Sequence, residues 1–284
     1  MPIKKVAILA NVLSGRVGKQ DARQIAEATT RHGYTVTGLR AVRGRPDSAL
    51  KNLLRGKPDA LIALGGDGTH AAALNLASCP VLPLPGGTLN LLPKAMLGDA
   101  AWPDLLKDAL DRPGFASIPA GDIEGRRFFL VAQLGGPALF TRSREALRRG
   151  LIARALLRAR SAFTRMFDHE LIVRDVGQDG AVLEDGVTAL LVNTANISDV
   201  HDETDSLEVA AFTARNLVDA AGIGAWALVD QWRNAGQVKV SKHSEIAVTA
   251  EAAIPAILDG EFMRLEKSVR IRSVPEAACI WRAI

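Results

Sequence analysis

Residues 60–64, Ala-Leu-Ile-Ala-Leu, run without interruption into Gly65-Gly66-Asp67-Gly68-Thr69. A short, wholly apolar run reads as a strand covered on both faces. The small residues after it let the backbone turn sharply into a helix expected to start at Thr69. The same joint occurs twice more. Residues 5–10 lead into Asn11-Val12-Leu13-Ser14-Gly15, and residues 81–84 lead into Pro85-Gly86-Gly87-Thr88-Leu89-Asn90. A further strand is expected over 35–39. Helices are expected over 21–32, 46–54, 70–77, 89–97 and 103–110, with Pro93 a breaker inside the fourth. Such alternation requires a parallel sheet with helices on both faces, and ligands of these sheets collect beyond the carboxyl ends of the strands. All three turns fall at that end.

Pro113-Gly114 marks a change of period. Short strands are expected over 127–133, 170–174, 189–193, 207–212, 237–240, 245–249 and 269–271, interrupted by helices over 144–166 and 216–226. The reading is two domains: an α/β domain over 1–113 with a parallel sheet, and a mainly antiparallel β-sandwich over 114–284. At 284 residues both can bury a core of ordinary size.

A net charge of +4 is too mild to argue for nucleic acid, so none is expected as a partner. Cys79 and Cys279 stand far apart and offer neither a disulfide framework nor a ligand cluster, which fits a reducing, cytoplasmic location. The first apolar run is read as a buried strand rather than a leader, because Asn11 interrupts it. No run approaches the ~20 apolar residues that span a bilayer.

Three glycines in the 65–69 turn let the backbone approach an anion with amides free to donate, and the helix that follows adds its positive end. An acidic residue there would repel a phosphate. Asp67 makes sense if it holds Mg²⁺ or a proton-bearing nucleophile, which turns the reading from binding to phosphoryl transfer. The plain alternative is that Asp67 caps the helix. The turn at 85–90 reads either as a second phosphate grip or as a hairpin-like turn. Asn11 and Ser14, followed by Arg16 and Lys19, can donate to phosphate or form an ordinary loop. Leu258-Asp259-Gly260-Glu261-Phe262 puts two carboxylates in a tight turn, and Asp-Gly alone is a common hairpin signal.

Asn-x-x-Ser-Gly, Gly-Gly-Asp-Gly-Thr, Gly-Thr-x-Asn and a late Asp-Gly-Glu occur in one order from Asn11 to Glu261. This resembles the diacylglycerol kinase catalytic-domain family, which includes bacterial lipid kinases and sphingosine kinases and is related to NAD kinases and, more remotely, phosphofructokinases. The resemblance implies a phosphofructokinase/NAD kinase-like first domain and an active site in the interdomain cleft. It implies that Asn11, Ser14, Gly15, Gly65, Gly66, Gly68, Thr69, Gly87, Thr88 and Asn90 hold ATP, with Asp259 supporting metal or ribose. Asp67 and Glu261 become the catalytic carboxylates, with either one as the base. Asp67, Asp202 and Asp205 become candidate metal ligands, Mg²⁺ at Asp67 and a structural metal in the 202–205 stretch. The implied activity is an ATP- and Mg²⁺-dependent lipid kinase that phosphorylates diacylglycerol or a sphingoid base. An NAD kinase-type enzyme, or a pseudokinase that binds nucleotide or lipid without catalysis, is the alternative.

The chain departs from the family pattern at Ala71-Ala72, where Asn-Glu is usual, and at Leu91-Leu92-Pro93-Lys94, where Asp-Phe-Ala-Arg is frequent. The first departure is the best argument for a pseudokinase. The Arg-rich stretch 142–165 sorts Ile152, Leu156, Ala159, Phe163 and Phe167 to one helical face, with Arg154, Arg158 and Arg165 on the other. It reads either as a core helix with a solvated face or as a surface for anionic lipid, where each basic residue adds about 1 kcal/mol. Peripheral contact at the inner membrane face follows from the second reading. A homodimer stays open. His70, His169, His201 and His243 show no metal-ligand spacing among themselves, and His201 with Asp202 and Asp205 reads either as a contact for a cation or, preferably, as a polar loop.

Overall fold

A computed structural model describes residues 3–15, 17–18, 20–135, 170–177, 180–194, 205–213 and 238–284. The helices expected over 144–166 and 216–226, the Arg-rich face, His169, His201 and Asp202 lie outside the described residues. The chain divides into two compact units, Met1–Ala120 with Pro275–Ile284, and Gly121–Val274.

The first unit is the expected parallel α/β layer. Strands β1 (Lys5–Asn11), β2 (Thr35–Val42), β3 (Ala60–Gly65) and β4 (Val81–Pro85) lie in the order β2-β1-β3-β4, all parallel. The end of the last strand, β16 (Ser268–Ala283), adds a fifth parallel member through Ile280 beside Val81. β3 is buried at every position and β1 at all but its first, which is why both read as unbroken apolar runs. Helices α1 (Asp21–Arg31), α2 (Asp47–Leu54), α3 (Asp67–Leu76), α4 (Leu91–Leu97) and α5 (Trp102–Asp111) connect the strands. Helix α3 starts at Asp67, not at Thr69, because the amides of Thr69 and His70 already bond to the Gly66 carbonyl. Pro93 does not break α4. It occupies the first turn, where no intrahelical amide is needed.

The return of β16 was absent from the sequence-based division. Trp281 accounts for it: fully buried in the first core, it donates from Nε1 to the Ala109 carbonyl at 3.1 Å and packs on Tyr34 at 5.6 Å. The division between the units also falls inside a strand, β5 (Pro113–Ile123), past the Pro-Gly signal.

The second unit is an antiparallel sandwich. One sheet is β12-β11-β10-β7-β14-β15, built from β12 (Val238–His243), β11 (Leu207–Phe212), β10 (Ala189–Asn193), β7 (Val131–Gly135), β14 (Ile254–Leu258) and β15 (Glu261–Leu265). The other joins the start of β16 to β13 (Glu245–Ala250), β8 (Leu171–Asp175) and β9 (Val182–Val187), with the hairpin of β5 and β6 (Arg126–Phe128) attached. Residues of both sheets, among them Val173, Ile246, Ile271, Leu134, Val192 and Val209, form one core. The strand expected over 127–133 is two strands, because the backbone at Phe129 and Leu130 leaves the ladder to bind a side chain described below.

Candidate functional site

Three turns follow β1, β3 and β4 at one edge of the first sheet. The register sets Ala10 beside Leu64 and Gly65 beside Pro85, so the turns emerge together. The β3 and β4 turns then touch through their main chains. The Gly86 amide donates to the Gly65 carbonyl at 2.7 Å, and a Cβ on Gly87 would stand 2.7 Å from the Gly66 Cα. Only glycine permits that approach.

The polar side chains of the three turns are used largely to hold the turns themselves. Buried Asn11 donates from Nδ2 to the Gly44 carbonyl (2.9 Å) and to Thr69 Oγ1 (3.0 Å), while its Oδ1 accepts from the Leu13 and Gly44 amides. Ser14 Oγ accepts the Gly66 amide at 3.0 Å. Asn90 closes the β4 turn: its Oδ1 accepts the Gly87 amide at 2.7 Å and its Nδ2 donates to the Gly87 carbonyl at 3.0 Å. Asn90 does this with φ of +52°, a left-handed conformation that asparagine tolerates better than most residues. The β4 turn is therefore a strand-to-helix joint like the other two, not a hairpin.

What the cradle leaves available is mainly backbone. Among the described residues the amides of Asp67, Gly68, Thr88 and Leu89 have no acceptor, and Gly68, Thr88 and Leu89 are exposed. Space beyond Gly68 is open, and Gly15 stands close to Thr88. Asp67, half-buried at the first turn of α3, accepts the Leu92 amide at 2.9 Å through Oδ1. One carboxylate oxygen thus anchors the start of α4, and among the described residues the other has no hydrogen bond. Unpaired amides at a helix start with one carboxylate among them suit a polyphosphate and its cation. Behind Asp67, fully buried His70 is held at Nε2 by the Leu84 carbonyl at 2.9 Å. Burial pushes its imidazole down to about 4, against the pull of the Asp67 charge. Ala71 and Ala72 follow on the next turn of α3, partly exposed.

The structure therefore brings together Asn11, Ser14, Gly15, Gly65, Gly66, Asp67, Gly68, Thr69, Gly87, Thr88 and Asn90. Asp205, Asp259 and Glu261 belong to the other unit. There Asp259 and Gly260, at φ of +46° and +89°, form the two-residue turn between β14 and β15, with Leu258 paired to Glu261. Both oxygens of Asp259 are engaged: Oδ2 takes the Phe129 amide (2.6 Å), and Oδ1 takes those of Leu130 (2.9 Å) and Val131 (3.0 Å). Glu261 is exposed beside that turn. Among the described residues no group of three His, Cys, Asp or Glu is placed to hold a metal ion. Among the described residues no helix is long and apolar enough to cross a membrane.

Sequence reasoning did not anticipate the Leu92 amide, the Gly44 loop held by Asn11, or His70. The first two arise from contacts between segments distant in sequence. His70 offers only the signal of a lone histidine on a helix.

Residues 5–121 match the family model of the diacylglycerol kinase catalytic domain. No curated protein sequence matches the chain. Among solved structures, the fold resembles a candidate diacylglycerol kinase from Bacillus anthracis str. Sterne, with a TM-score of 0.73 at 16% identity, covering 99% of this chain and 95% of that one. A second structure, of a diacylglycerol kinase from the same organism, gives 0.68 at 14% over 99% and 97%. An NAD kinase from Archaeoglobus fulgidus in complex with ATP gives 0.57 at 14% over 98% and 94%. The resemblance read from the motifs is thus borne out: residues 5–121 carry the pattern of the diacylglycerol kinase catalytic domain, and the chain as a whole has the two-part fold seen in those kinases.

Proposed function

We propose that the glycine cradle binds the phosphates of ATP and that the protein transfers the γ-phosphoryl group to the hydroxyl of a lipid, diacylglycerol or a sphingoid base. The observation that carries this is Asp67: one oxygen is fixed by the Leu92 amide, and among the described residues the other has no hydrogen bond, on a turn whose neighbouring amides have no acceptor. The amides of Asp67, Gly68, Thr88 and Leu89 would hold phosphate oxygens, and Asp67 would hold Mg²⁺. When bound, Mg²⁺ supplies the positive charge that neutralises the β- and γ-phosphates. Asn11, Ser14 and Asn90 act on nucleotide by fixing the shape of the cradle. The proton of the acceptor hydroxyl goes to a carboxylate, either Asp67 or Glu261. Asp259 sets the Glu261 turn by gathering three amides, while Asp205, with Asp202, is retained only as a candidate for a structural cation. The protein would work in the cytoplasm and meet its lipid peripherally at the inner membrane face.

The test is transfer of labelled γ-phosphate from ATP with Mg²⁺ into a total lipid extract, with NAD⁺ in a parallel reaction. Asp67→Asn keeps an acceptor for the Leu92 amide and removes the charge. It is expected to leave the melting temperature within about 2 °C and reduce transfer at least ~10³-fold, an effect of one catalytic electrostatic group. Transfer at the parental rate refutes the mechanism. Label on NAD⁺ instead of lipid assigns the NAD kinase-type reaction, and nucleotide binding without any transfer assigns a pseudokinase.

A further inference from the structure

Ser241 and His243 stand two residues apart on β12, so their side chains leave the same face of the strand. The register pairs Ser241 with Val209 and His243 with Leu207, both members of the core between the two sheets, so that face looks into the sandwich. Asp175, at the end of β8, meets it from the opposing sheet. His243 Nδ1 lies 2.9 Å from Asp175 Oδ2, and His243 Nε2 lies 2.9 Å from Ser241 Oγ. The other oxygen of Asp175 accepts the Gly177 amide at 2.8 Å, which fixes the carboxylate. A carboxylate can only accept, so Nδ1 carries the ring proton and Nε2 is left to accept from the serine hydroxyl. This is the connectivity of a hydrolytic triad, which is recognised by geometry and not by order in the chain.

Two further features face the same nucleophile. A recess of about 200 Å³ opens beside Ser241, lined by Val173, Leu183, Val209 and Ala211. Lys239 leaves the same face of β12 on the other side of Ser241 and is held at the rim by Glu184 at 2.6 Å. Asp175 and His243 are nearly buried, with side chains 9% and 11% exposed, whereas Ser241 is exposed. A brace between the two sheets would need only the first pair. The exposed serine, the apolar recess and the cation are what acyl transfer requires in addition.

We propose that Ser241, His243 and Asp175 form a catalytic site within the second unit that hydrolyses esters of short acyl groups. Ser241 Oγ bonds to the acyl carbonyl carbon while its proton passes to His243 Nε2. The ester C–O bond then breaks and His243 returns the proton to the departing alcohol. Water repeats the sequence on the acylated serine, releasing the carboxylic acid and restoring the hydroxyl. The Lys239 ammonium offers the nearby positive charge for the oxyanion. The recess is smaller than the ~300 Å³ lower bound of sites for drug-sized ligands, so it suits a short acyl group.

The full-length protein is treated with diisopropyl fluorophosphate, its adducts are mapped by mass spectrometry, and p-nitrophenyl butyrate hydrolysis is measured alongside. The expected result is one adduct, on Ser241, and hydrolysis at least tenfold above the buffer rate. Ser241→Ala loses both with an unchanged melting temperature, and Ser244→Ala, on an exposed neighbour, retains both. Absence of an adduct on Ser241, or hydrolysis that persists in Ser241→Ala, overturns the proposal and leaves the three residues as a brace.

Discussion

Acid should weaken the first unit through one residue that lies directly behind the cradle. His70 is fully buried on α3, and burial lowers its imidazole from 6.5 to about 4. Because the folded state binds this proton more weakly than the unfolded chain, its contribution to stability is complete above about 6.5. The contribution is lost as the pH falls towards 4. Linkage across that interval gives a loss of under about 1 kcal/mol at pH 6, about 2 kcal/mol at pH 5 and about 3 kcal/mol at pH 4. His70→Gln keeps an amide donor for the Leu84 carbonyl but cannot titrate, so every other acid-sensitive group cancels in the comparison. Urea unfolding, followed by hydrogen exchange of peptides from β3 and α3, gives the difference between parent and variant at pH 7 and pH 5. The difference should shift by about 2 kcal/mol in favour of the variant at pH 5. Curves that move in parallel, or a ring resonance titrating near 6.5, would refute the reasoning.

Two further substitutions probe the turns. Gly87→Ala places a methyl group 2.7 Å from the Gly66 Cα and 3.0 Å from Asn90 Oδ1, so the two turns must part. It should cost about 1–3 kcal/mol in thermal unfolding and weaken ATP binding at least tenfold by calorimetry. Parental affinity would show that the two turns do not act together. Asp259→Asn turns an amide donor towards at least one of the three amides its carboxylate gathers. It should destabilise the second unit by about 2–3 kcal/mol and speed amide exchange at residues 129–131, whereas unchanged exchange there would deny the anchoring role.

The parallel layer was legible because its strands are apolar on both faces and its turns are made of glycine, proline and asparagine, all local signals. The strands at 189–193 and 207–212 were likewise read to the residue. What escaped was set by distant partners. Pro113–Ile123, Val182–Val187, Ile254–Leu258 and Glu261–Leu265 are strands that lack clean alternation or lie beside a turn. The first runs through a Pro-Gly pair that reads as an end, and the third contains Pro255. The break between β6 and β7 depends on Asp259, 128 to 130 residues away in sequence. The bland reading of Asp259-Gly260 as a hairpin turn describes its backbone correctly. No local pattern shows that its carboxylate is filled by main-chain amides.

The same distinction bears on how the cradle can work. Asn11, Ser14 and Asn90 are residues that a motif reading assigns to ligand, yet their hydrogen bonds go to Gly44, Thr69, Gly66 and Gly87. If the cradle binds nucleotide as proposed, recognition passes to the main chain, whose amides are oriented before any ligand arrives and need no rotamer to be frozen. A site of this kind reads phosphate geometry and charge, and little of its specificity comes from side chains. It also explains why a chain with alanines at 71 and 72 can keep the cradle: neither position supplies a bond that shapes it. On the proposed function the reactive demand then rests on Asp67, because among the described residues it is the carboxylate of the cradle, with one oxygen taken by the Leu92 amide and no hydrogen bond at the other.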